Sequence, residues 1–274
     1  MSSFNIKKTV GKVLTGVLVT TLLITAVGGC AKDPTTGTTT APAPVTLDVL
    51  AAASLTDAIK EINQVYTNAR PWVTIVPNFA SSGTLQVQIE NGGACDVFIS
   101  AAAAQMNNLQ DKGLLVDGTR RNLLNNKVVL VVPNNSTLGL TSFSDLALSK
   151  VTSVAIGDPA SVPAGTYAQQ AFDLLGITDQ VQPKYVMGAD VRGVLAYVES
   201  GNIDAGIVYA TDALTSDKVT VVASAPDEIN SKIVYPMAIT KNSKSQSEAQ
   251  KYLDFLASDE AMAIFAKYGF SPAI

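Results

Sequence analysis

Short apolar runs rich in β-branched residues alternate with helical stripes along this chain, and the exchange from one to the other repeatedly falls on Ala, Ser, Gly or Asp. That alternation constrains the fold more than any other feature. Strand–helix units repeated in series build parallel sheets with helices on both faces. Strands are predicted over residues 46–51, 72–76, 95–99, 127–132, 151–156, 205–209, 219–223 and 233–239. Between them, Leu55, Ala58, Ile59, Ile62, Val65 and Tyr66 fall at helical spacing. So do Ala164, Tyr167, Ala168, Ala171, Leu174 and Leu175 before Gly176, and Val191, Val194, Leu195 and Val198 before Gly201. Shorter helices are expected over 83–90 and 103–111, and helices over 247–257 and 259–268 close the chain. There is no internal repeat.

Five turns concentrate small, donor-rich residues at these exchanges: Ala53-Ser54-Leu55-Thr56, Ala80-Ser81-Ser82-Gly83, Pro163-Ala164-Gly165, Asp190-Val191-Arg192-Gly193 and Val208-Tyr209. In doubly wound sheets, ligands bind outside the carboxyl ends of the strands, where the helix starts also lie. A helix start carries free N–H groups and partial positive charge, so several together suit a small oxyanion. Each turn also has a plainer reading. Ser54 precedes Asp57 in a Ser-x-x-Asp pattern, which predicts an N-cap. Ser81 and Ser82 repeat the theme, with Gly83 allowing close backbone approach. Asp190 is expected to cap the helix beginning at Val191 and leave that amide free. Arg192 is read as structural, bracing the second half of the molecule through a nearby carboxylate.

The amino-terminal segment reads as an export signal. Lys7, Lys8 and Lys12 form a basic region, Val13 to Val27 is mostly apolar, and Val27-Gly28-Gly29 precedes Cys30. The order resembles a bacterial lipobox, in which the cysteine becomes the lipidated first residue. Residues 31–45 are mostly Thr, Pro, Ala and Gly, a composition that forms a tether rather than a core. The expected location is therefore extracytoplasmic, anchored by lipid at the cell membrane.

Composition removes several function classes. There is no histidine, which excludes Ser-His-Asp and Cys-His catalysis and argues against a typical zinc site. Loss of residues 1–29 lowers the basic count from 19 to 16 against 23 acidic residues, a net charge of −7. An acidic chain without a basic run argues against nucleic acid. It also means that an anion must be held by local dipoles. Cys95 is the one cysteine beyond Cys30 and reads as a small core residue.

The segments Ala51-Ala-Ala-Ser54-Leu-Thr56, Phe79-Ala-Ser-Ser82, Asp96-Val-Phe-Ile-Ser100-Ala, Gly157-Asp-Pro159, Val162-Pro-Ala164-Gly-Thr-Tyr167, Asp190-Val-Arg-Gly193 and Gly206-Ile-Val-Tyr209 together resemble the periplasmic molybdate-binding proteins. The likeness continues to Tyr268-Gly269-Phe270. It implies an α/β, two-lobe periplasmic-binding-protein-like (type II) fold. Each lobe would be a mixed, mostly parallel sheet flanked by helices, with the ligand in the interlobe cleft. The implied division is a signal over 1–29, a lipidated tether over 30–45, a first lobe over 46–125 and 235–274, and a second lobe over 126–234. The family's oxyanion ligands map onto the hydroxyls of Ser54 and Ser82, the amides of Ala164 and Val191, and Tyr209. Two departures are Cys95, where alanine is usual, and Gly83, where a third serine is usual.

The resemblance implies a monomeric, non-enzymatic receptor that delivers molybdate or tungstate to an ATP-binding-cassette permease and its ATPase subunit. No cofactor is expected, and molybdenum or tungsten enters only as the bound oxyanion. Sulfate is the rival ligand, since it too is a tetrahedral dianion. A serine hydrolase built on Ser54 or Ser82 and a purely adhesive lipoprotein are the readings from other classes.

Overall fold

The computed structural model describes residues 42–273. The proposed signal and Cys30 lie outside the described residues. In chain order the elements are β1 (Val45–Ala52), α1 (Thr56–Ala69), β2 (Val73–Ala80), α2 (Ser82–Glu90), β3 (Val97–Ile99), α3 (Ala103–Asp111), β4 (Arg121–Asn125) and β5 (Val128–Pro133). They continue with β6 (Val154–Gly157), α4 (Pro163–Leu175), α5 (Thr178–Val181), β7 (Tyr185–Gly188), α6 (Val191–Glu199), β8 (Ala205–Tyr209), α7 (Ala210–Ala213) and β9 (Val219–Ser224). The last are α8 (Asp227–Asn230), β10 (Val234–Ile239), α9 (Gln246–Leu256), α10 (Asp259–Lys267) and β11 (Ser271–Pro272).

The strands form two sheets, ordered β11-β4-β10-β3-β1-β2 and β7-β6-β8-β5-β9. Each sheet with its helices is a lobe. In the first, β1 runs parallel to β2 and β3. In the second, β6 runs parallel to β7 and β8. Helical crossovers impose that direction. The carboxyl ends of these strands carry Ala53-Ser54, Ser81-Ser82, Ser100-Ala101, Asp190-Val191 and Tyr209.

The expectation of mostly parallel sheets needs amendment. β10 is antiparallel to β3 and β4, β11 to β4, and β5 to β8 and β9. The physical reason is connectivity. β5 follows β4 after Asn126-Lys127 alone, and β10 returns from the second sheet to the first, so neither arrives through a crossover helix of its own lobe. β5 is buried along its whole length, as its unbroken apolar run requires. Three strands, β4, β7 and β11, had no strand prediction: Arg121-Asn-Leu-Leu-Asn125 is flanked by polar residues, Tyr185-Val-Met-Gly188 is very short, and Ser271-Pro272 is only two residues. Val45, assigned to the tether, instead pairs with Val73 as the first residue of β1.

The start of α4 is pressed onto the end of β6. A Cβ at Gly165 would lie 1.9 Å from the carbonyl oxygen of Gly157, so only glycine lets this helix start come so close to the strand. The contact fixes the preceding amide, that of Ala164, at the mouth of the second sheet.

Candidate functional site

The five residues singled out for the site meet around one small cavity. Ser54, Ser82, Ala164, Val191 and Tyr209 all line it, with Ala53, Ala101 and Val162 among the apolar neighbours. Ser54 and Ser82 come from the first lobe, and the other three from the second. Ser54, Ser82, Ala164, Val191 and Tyr209 are all buried. No lysine or arginine lines the cavity, and its one carboxylate, Asp190, accepts from Gly193 N at 2.9 Å. The lining therefore offers neutral donors.

Each donor is set in place by its local chain. Ala164 follows Pro163 at the start of α4, and Val191 is the first residue of α6, capped by Asp190 as expected. Amides in a first helical turn have no intrahelical acceptor. The two adjacent serines divide the work. Ser81 caps α2 by accepting from Thr84 N at 3.2 Å, which leaves Ser82 to face the cavity while its oxygen accepts from Ala101 N at 2.9 Å. Tyr209 ends β8, and its hydroxyl makes a long bond, 3.4 Å, to the Ala101 carbonyl. Burial pushes the Tyr209 phenol well above its ordinary pKa, so it stays a protonated donor.

Ser54 departs from its predicted capping role. It lies within a short 3₁₀ turn, Ala53–Leu55, and α1 starts after it at Thr56 with no side-chain cap. Its Oγ instead sits 2.9 Å from the hydroxyl of Tyr235 on β10. Tyr235 also receives a bond from Asn126 Nδ2 at 3.1 Å. Neither residue was found in the sequence, because the partners are 181 and 109 positions apart and no local pattern joins them.

Arg192 is structural but spans more than was expected. Its Nη2 lies 2.8 Å from Asp57 on α1 of the first lobe, and its Nε 2.6 Å from Asp212 on α7 of the second. The Asp212 side chain is fully buried, and desolvation pushes its pKa up to about 7 although Arg192 pulls the other way. A wider groove lies where Asp57, Arg192, Glu199 and Lys267 meet, but its mixed charges specify no single ligand class.

The lobes also touch through backbone. Gly83 N donates to Ser161 O at 2.9 Å, and a Cβ on Gly83 would lie 2.5 Å from that oxygen. The departure from serine at this position thus permits a close seam beside the cavity. Gly83→Ser is expected to weaken ligand binding about tenfold by prying the seam open. Unfolding of the unliganded protein should change little. Isothermal titration alongside a melting curve checks both halves; unchanged affinity would mean that the seam is not part of the bound state.

Among the described residues no cluster of three or more metal-ligating side chains occurs. Cys95 is buried and free, and burial raises its thiol pKa, as fits a small core residue.

Comparison with known proteins agrees with the geometry. A family profile described as bacterial extracellular solute-binding protein matches residues 47–271. A Bacillus subtilis protein named as a putative ABC transporter substrate-binding lipoprotein, YvgL, is 45% identical over 89% of this chain and 93% of its own length. The molybdate-binding protein ModA of Haemophilus influenzae is 38% identical over 81% of this chain and 89% of its own length. The solved substrate-binding domain of a putative molybdenum ABC transporter from Clostridium difficile is 38% identical. It superposes with a TM-score of 0.65 over 84% of this chain and 99% of that structure. With one cavity between two α/β lobes and these relatives along almost all of its folded length, the chain belongs to the family of bacterial extracellular solute-binding proteins.

Proposed function

We propose that this protein captures molybdate or tungstate outside the cytoplasm and passes it to an ATP-binding-cassette importer. The observation that carries the reading is the convergence of the Ser54 and Ser82 hydroxyls, the Ala164 and Val191 amides and the Tyr209 phenol on one small cavity free of cationic side chains. A tetrahedral dianion loses its hydration on entry and needs dense hydrogen bonding in return. Bonds to a charged acceptor are the stronger kind, about 1.5–3 kcal/mol each. Neutral donors suit a carrier that must also release its cargo. They turn away a protonated oxyanion, whose O–H would meet another donor. The relatives named as molybdate-binding proteins support the same ligand. The relative named as a lipoprotein supports anchoring through Cys30. A ligand that bridges the lobes favours the closed arrangement by its differential affinity. The receptor acts as a monomer, binds without chemical change and uses no cofactor.

Thermal unfolding of the protein with molybdate, tungstate, sulfate or phosphate tests this directly. A ligand that binds only the folded state adds about 2.7 kcal/mol at a hundredfold excess over its dissociation constant. A large upward shift is expected with molybdate and tungstate and little with sulfate. A shift with sulfate alone would move the substrate, and no shift with any oxyanion would end the proposal.

A further inference from the structure

We infer that Asn126 and Tyr235 are positioning residues that keep the Ser54 hydrogen free to donate into the cavity. The inference rests on the oxyanion-receptor reading above and concerns how that site selects among anions.

Hydrogen-bond direction is set step by step along a buried chain of side chains. The Asn126 side-chain oxygen accepts from Lys127 N at 2.8 Å. A backbone N–H can only donate, so this contact fixes the amide orientation. The Asn126 Nδ2 group then has two hydrogens to place. One goes to Thr211 Oγ1 at 2.9 Å and the other to Tyr235 Oη at 3.1 Å. Tyr235 therefore accepts from Asn126. Its own hydrogen goes to its other partner, Ser54 Oγ, at 2.9 Å. Burial pushes the Tyr235 phenol far above its ordinary pKa, so that hydrogen is retained at any working pH. With one lone pair taken by Tyr235, Ser54 keeps its own hydrogen to donate to the ligand. Ser82 reaches the same state by a shorter route, because Ala101 N donates into its oxygen.

A hydroxyl left to itself rotates and serves either as donor or as acceptor. That freedom would let a serine receive the proton of a hydrogen-bearing anion. The Lys127–Asn126–Tyr235 chain biases Ser54 toward donation. Asn126 lies between β4 and β5, Thr211 on α7 and Tyr235 on β10, so the polarity of the site is set where the chain passes between lobes.

The test compares sulfate with hydrogen phosphate as competitors of bound molybdate at pH about 8, where both are dianions of similar size and only phosphate carries a proton. Wild type is expected to prefer sulfate. In Tyr235→Phe the Ser54 oxygen is freed to accept, and the preference should narrow about tenfold. Asn126→Asp should narrow it further. A carboxylate there accepts from Tyr235, which then accepts from Ser54, so the serine turns a lone pair to the cavity. Its added negative charge weakens both dianions alike and leaves their ratio interpretable. A merely structural role would weaken both competitors in proportion. A ratio unchanged in both variants overturns the inference, and so does a wild type that shows no preference for sulfate. Failure of the wild type to bind molybdate overturns instead the reading on which it rests.

Discussion

Replacing Ser54 and Ser82 together by alanine is expected to weaken molybdate binding by about 3–6 kcal/mol, on the order of a hundredfold to ten-thousandfold. Each hydroxyl supplies one charge-assisted bond inside a buried cavity where water cannot take its place. Ser82 also accepts a bond from behind, from Ala101 N, and Ser54 shares one with the Tyr235 hydroxyl. Truncation therefore strands a donor as well as removing one. Ser81→Ala is the contrast. Ser81 lies beside Ser82 but caps α2, so its loss should cost about 1 kcal/mol of stability and leave affinity nearly unchanged. Titration calorimetry on the double variant and the Ser81 variant separates the roles. Equal losses of affinity in both would refute the division of labour between these neighbours.

Arg192→Ala is expected to destabilise the protein by about 3–5 kcal/mol at alkaline pH, because it leaves the buried Asp212 without its cation. The sign of the pH dependence follows from the raised pKa. Folded Asp212 titrates near 7, above its ordinary 3.8, so between those values the folded state binds the proton that the unfolded state has lost. Its contribution to stability therefore grows as pH falls through that window and is lost as pH rises past 7. Removing Arg192 removes the cause that lowers this pKa and moves the window upward. The gap between wild type and variant should be widest near pH 8 and narrower near pH 6, read by urea denaturation. An equal loss at both pH values would mean that Arg192 acts by packing rather than by charge. The folded variant should still bind molybdate within about tenfold of wild type, since the exposed arm to Asp57 is worth roughly 1 kcal/mol or less.

These two positions also mark what the sequence discloses and where it stops. Periodicity is a local signal, so α1, α4 and α6 were legible from their apolar stripes, and α4 and α6 stop near the glycines expected to end them. The five turns that meet at the cavity were legible from their own unusual composition, whereas the residue proposed within each came from the family resemblance. The hydrogen bonds behind them were not. Ser54 looked like a cap because Asp57 follows at capping distance, yet its hydroxyl is taken by Tyr235 and Asp57 is taken by Arg192. Asp212 carried no motif; its importance lies in burial, which only the packed α7 reveals. β4 was invisible for a related reason. Its pairing with β10 and β11 supplies the order that five polar-flanked residues lack.

The position of β10 has a consequence for how the molecule comes to be folded. It lies between β3 and β4, yet it is made from residues 234–239, after every strand of the second sheet. A chain emerging from its amino terminus can thus complete the β5–β9 sheet while the first sheet is still split. Until β10 inserts, β3 and β4 each keep a bare edge, the kind of surface that pairs wrongly with other chains. Pulse-labelled hydrogen exchange during refolding should protect β5, β6 and β8 before β3 and β4. Simultaneous protection would mean that the lobes fold as one unit. β10 is then the strand that closes the gap in the first sheet, and a nascent chain cut short before Val234 would keep a finished second sheet beside an open first one.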